Sequence, residues 1–115
     1  MKETRLGDFE EVLLLFVGIL GAEAYAYKIA DEFKQQTGRQ VSIGAVHSTL
    51  NRLETKGFLE SAMGESTAER GGRRKRIFTI TAYGRQVLQD SKEFKESLWN
   101  QQPDFLKGNM TLVQY

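Results

Sequence analysis

Cysteine is absent, proline and tryptophan occur once each, and there is a single histidine. Without a thiol there is no disulfide, no thiolate metal site and no cysteine nucleophile, and nothing points to an oxidising compartment. The cytoplasm is therefore the expected location. The inventory also holds no HExxH-type or phosphate-loop motif and no paired acids outside solvated helix faces. No enzyme, metal site or cofactor is expected from it. Long apolar runs are missing too. Val12 to Leu20 falls far short of the about 20 residues needed to span a bilayer and follows Asp8, Glu10 and Glu11. It reads as a buried helix, with no signal peptide and no membrane partner.

What is present fits one domain of 115 residues. Asp8 is expected to cap a first helix, with Glu11 three residues on returning the bond. Phe9, Val12, Leu13, Phe16, Ile19 and Leu20 form its wide apolar face, and Gly21 ends it. A second helix is expected over residues 24–37, where Tyr25, Ile29 and Phe33 recur every fourth position and Gly38 supplies a left-handed stop. Ser42 caps a third helix running to about Lys56, with Val46, Leu50 and Leu53 buried and Gly57 as its end.

Beyond Gly57 the period changes. Residues 58–63 and 76–81 read as strands joined by a polar, Gly-rich loop over residues 64–74. Thr81 caps a last helix over residues 82–100, and Pro103 marks its end. The resulting order α-α-α-β-β-α, mostly α with a β-hairpin wing, describes a winged helix-turn-helix over residues 1–81. A C-terminal dimerisation helix over residues 82–102 follows, and residues 103–115 are expected to be a disordered tail.

Net charge is only +1, yet five of the sixteen Lys and Arg (Arg70, Arg73, Arg74, Lys75 and Arg76) fall in residues 70–76. The rest of the chain is then acidic overall, so the positive field is concentrated at the hairpin tip. Like charges packed this closely repel one another in the free fold. A polyanion removes the repulsion, since phosphates neutralise the guanidinium groups and counterions are released. The alternative is a solvated hairpin tip. On the third helix Ser42, His47, Ser48, Asn51 and Arg52 project away from Val46, Leu50 and Leu53. Asn and Arg there can contact base edges, asparagine suiting adenine and arginine guanine. Tyr25 aligns with the core positions of the second helix, so Tyr27 is the candidate for a phosphate contact. Phe94, Leu98 and Trp99 on the last helix, together with Phe9, have little to pack against in a monomer. They are expected either at a dimer interface or around a cavity for a small aromatic or hydrophobic effector.

These residues resemble a known family over roughly residues 6–85. The segments Leu6-Gly7-Asp8-Phe9-Glu10, Tyr25-Ala26-Tyr27-Lys28-Ile29, Val41-Ser42-Ile43-Gly44-Ala45-Val46 and Leu50-Asn51-Arg52-Leu53-Glu54 are similar to those of PadR-type regulators. So are Lys56-Gly57, the basic wing from Glu69 to Arg76, and Thr81-Ala82-Tyr83-Gly84. Two positions depart from the pattern: Ala26 stands where the family often has glycine, and His47 where it often has tyrosine. The resemblance implies a dimeric transcriptional repressor on double-stranded DNA whose C-terminal helices pair and which responds to a small molecule or another signal. The competing expectation is a winged-helix module for protein partners, without sequence-specific DNA binding. Such a module has no need of a cation cluster at its hairpin tip.

Overall fold

Helix α1 (Asp8–Leu20) is capped one residue earlier than expected. Gly7 is the cap, and Glu10, third in the helix, accepts the Gly7 backbone N–H at 2.8 Å. With Gly7 as the cap the third helical residue is Glu10, and the same carboxylate also meets Arg52 and Lys56. The computed structural model in which this is seen describes residues 6–64, 74–104 and 106–108. Gly21 ends α1 at φ 57° and leads into a 3₁₀ turn, Gly21–Glu23.

Helix α2 (Ala26–Thr37) starts two residues later than its periodicity suggested. The reason is tertiary: Ala24 is fully buried and its carbonyl accepts the Phe78 N–H of the hairpin at 2.9 Å, which holds this stretch out of the helix. Gly38, at φ 75°, ends α2 with its N–H on the Lys34 carbonyl. A short connection reaches α3 (Ile43–Thr55), where the Ser42 hydroxyl accepts the Ala45 N–H at 3.0 Å. The end of α3 is a Schellman arrangement. Gly57 (φ 87°) donates to the Glu54 carbonyl at 3.0 Å and Phe58 to the Leu53 carbonyl at 2.9 Å.

Strands β1 (Leu59–Met63) and β2 (Arg76–Ile80) pair antiparallel, with Leu59 opposite Ile80, Ser61 opposite Phe78 and Met63 opposite Arg76. Leu59 and Phe78 turn inward onto Leu13, Leu14 and Val17 of α1, Ile29 and Phe33 of α2, and Val46, Leu50 and Leu53 of α3. Burying such side chains contributes about 1.5–3 kcal/mol each, which makes this cluster the main cohesive term. Phe33 meets Phe9 and Phe16 edge-on, at centroid separations of 5.7 and 6.2 Å.

Helix α4 (Ala82–Asn100) is tied to the body at its start. The Thr81 hydroxyl donates to the Gly57 carbonyl at 2.6 Å and accepts the Gly84 N–H at 3.0 Å. Gly84 lies so close to β1 that a Cβ there would stand 2.2 Å from the Phe58 carbonyl oxygen. Tyr83, Val87 and Leu88 pack on the core, whereas residues 92–100 are all exposed. Of the tail expected after Pro103, residues 105 and 109–115 lie outside the described residues.

Candidate nucleic-acid interface

The buried stripe of α3, Val46, Thr49, Leu50 and Leu53, fixes which side of the helix faces out. His47, Ser48, Asn51 and Arg52 are all exposed, as is Ser42 at the cap. Gly44 and Ala45 extend the same outward face, and sequence reasoning left them out. A Cβ at Gly44 would meet nothing within 4 Å, so the fold itself has no steric need for glycine there. The legible signal was a glycine in the first turn of a helix, where it lowers helix stability relative to alanine.

Asn51 and Arg52 are both tied to other elements. Arg52 reaches back to α1, donating from Nε to Glu10 at 2.9 Å, while its side chain stays half exposed. Lys56 places its Nζ 3.0 Å from both Glu10 oxygens. Glu10 is only 6% exposed. Burial pushes its pKa up, but the Gly7 N–H, Lys56 and Arg52 together outweigh that and hold it below the ordinary carboxylate value. The ion group therefore clamps the outward helix to α1.

Three of the five wing cations are described, and each has a partner in the free fold. Arg74 donates from Nε to the Gly64 carbonyl at 2.9 Å. Lys75 sits 4.1 Å over the Tyr25 ring. Arg76 lies over the Phe78 ring and donates to Ser61 at 2.9 Å, to Asn51 Oδ1 at 3.1 Å and to Glu54. The Ser61 hydroxyl in turn donates to Glu54. The base of the wing is thus joined to α3. Arg70 and Arg73, expected at its tip, lie outside the described residues.

Tyr27 is 70% exposed and borders a shallow groove between α2 and α3 with Asp31, Lys34 and Ser42. Tyr25, half-buried at the cap of α2, carries Lys75 instead. On α4, Phe94 (64% exposed), Leu98 and Trp99 (52% exposed) face solvent, Phe94 beside Leu6 and Asp8. Leu15 and Ile19 of α1 are exposed as well, residues sequence reasoning did not join to this set. Phe9, grouped with it from sequence, is half-buried and packs against Phe33. The two helices are linked by Lys95 and Glu11, whose carboxylate keeps the Lys95 ammonium above its ordinary pKa. No helix among the described residues is long and apolar enough to cross a membrane.

Three helices, a two-stranded wing joined to the third helix, and a polar outward face on that helix define a winged helix-turn-helix protein. The model of the transcriptional regulator PadR-like family matches residues 16–90, and the chain belongs to that family of DNA-binding transcriptional regulators. No curated protein matches it. Among solved structures it is similar to a PadR-like transcription factor from Bacteroides fragilis, with a TM-score of 0.67 and 25% identity over 80% of this chain and 84% of that one. A PadR-like regulator from Bacillus cereus strain ATCC 14579 gives 0.65 and 20% over 80% and 84%. The complex structure of hsRosR-SG gives 0.68 and 24% over 96% and 91%.

Proposed function

We propose that the protein is a repressor that binds an inverted-repeat operator as a homodimer and is released by a small molecule or another signal. The observation that carries this reading is the outward face of α3, with Ser42, His47, Ser48, Asn51 and Arg52 exposed beside the base of a basic wing. Side chains of these types serve base edges and phosphates in a major groove. Tyr27 at the edge of α2 and the wing residues Arg70, Arg73, Arg74 and Lys75 then contact the phosphates on either side. Action on DNA puts the protein in the cytoplasm.

Dimerisation is supported by Phe94, Leu98 and Trp99, which one chain leaves exposed on a helix that projects from the body. Closed two-fold pairing is the commonest way to bury such a face. It sets two copies of α3 about 34 Å apart, one helical turn of DNA, so binding requires an inverted repeat.

The experiment is a titration of the duplex upstream of the protein's own gene, and of a scrambled duplex, with the wild type, Asn51→Ala and Arg52→Ala. Truncating a base contact costs about 1–3 kcal/mol on the operator and almost nothing on the scrambled duplex. Salt-insensitive or absent binding sinks the reading in favour of a protein-binding module.

A further inference from the structure

The exposed carboxamide of Asn51 has a partner on the wing. An arginine side chain has only donors, so the atom of Asn51 that meets Arg76 is its acceptor, Oδ1, at 3.1 Å. Arg76 is itself held by several partners, with part of its side chain open to water. Its Nε is on Ser61, its second terminal nitrogen is on Glu54, and its guanidinium lies over the Phe78 ring at 4.8 Å. Ser61 completes the ring by donating to Glu54 at 3.0 Å. Arg76 takes one of the two lone pairs of Oδ1 and turns that oxygen toward the wing, so in this planar amide the NH₂ is the end turned away from Arg76. Among the described residues that NH₂ has no partner.

This orientation matters because asparagine reads adenine with both ends at once, its oxygen accepting from the N6 amine and its nitrogen donating to N7. We infer that Asn51 reads through its NH₂, the end turned away from Arg76, and so favours guanine, whose O6 and N7 are adjacent acceptors, and that Arg76 is the positioning residue holding the oxygen back. The inference rests on the reading that α3 enters a DNA groove. Arg76 then belongs to the fold and not to the phosphate contacts of the wing, since its charge is already matched by Glu54.

The test begins by selecting preferred duplexes from a random pool with the wild type and with Asn51→Ala. The position whose preference disappears in Asn51→Ala is the one Asn51 reads. Guanine is expected there, favoured over adenine by about tenfold. Adenine at that position overturns the inference, as does a profile that Asn51→Ala leaves unchanged. The double variant Glu54→Gln/Arg76→Ala then removes the clamp without changing net charge. It is expected to lose the preference for guanine over adenine at that one position, with unchanged affinity and salt slope on scrambled DNA. A preserved preference, or a loss on every duplex with a slope reduced by about one, makes Arg76 a bystander or a phosphate contact and overturns its assigned role. If the double variant does not fold, the base at the Asn51 position in the wild-type selection still decides. Recovery of no preferred duplex overturns the groove reading itself and this inference with it, an outcome distinct from a selected adenine.

Discussion

Arg52 on α3 donates to Glu10 on α1 at 2.9 Å across 42 residues of sequence, and the acceptor is almost fully buried while the donor is half exposed. With Lys56 on the same carboxylate, one acidic side chain holds two cations of the outward-facing helix. Removing Glu10 takes this shared carboxylate from both.

Glu10→Gln is therefore expected to destabilise the fold by about 1–3 kcal/mol, less than the 3–5 kcal/mol typical of fully buried pairs because Arg52 keeps water on one side. The folded pKa of Glu10 lies below the ordinary value of 4.5. Its contribution is thus fully present above that value and is lost as pH falls through the folded pKa. Urea unfolding at neutral pH and at about pH 3 checks this: the gap between wild type and Glu10→Gln should shrink on acidification. A gap that stays constant would refute the charge clamp.

Two helical glycines should respond in opposite ways. Gly84→Ala drives a Cβ into the Phe58 carbonyl and is expected to cost about 2–3 kcal/mol. Gly44→Ala meets open space and is expected to stabilise by a few tenths to about 1 kcal/mol. If α3 lies in a groove, Gly44→Ala also weakens operator binding while raising Tm. Unchanged operator affinity would place the start of α3 away from DNA.

For the wing, Arg73→Ala with Arg74→Ala should weaken binding to every sequence alike and lower the salt slope by about one for each phosphate that is no longer neutralised. Titrations at several salt concentrations measure it. An unaltered slope would mark these residues as a solvated tip.

The exposed aromatic residues of α4 predict the oligomeric state. Sedimentation equilibrium at micromolar concentration should give a dimer for the wild type and a monomer for Trp99→Glu or Phe94→Glu. A wild-type monomer would defeat the dimer.

The last helix, the Ser42 and Thr81 caps and the stops at Gly21, Gly38 and Gly57 were legible in the sequence because each depends on residues within a few positions of one another. The side of α3 that faces out was legible for the same reason, as Val46, Leu50 and Leu53 share one helical stripe. The start of α2 was not, since only the Ala24 carbonyl meeting Phe78 holds residues 24 and 25 out of the helix.

The state of the site residues was decided by tertiary structure alone. By sequence Arg76 is one more cation in a basic run, and Asn51 a polar residue with both ends of its amide available. Once the hairpin pairs and folds back on α3, Glu54 takes the charge of Arg76 and Asn51 takes one of its donors. Spacing along one chain determines local periodicity and caps. Which charges are neutralised, and which end of an amide faces out, depends on groups that meet only after the chain has closed on itself.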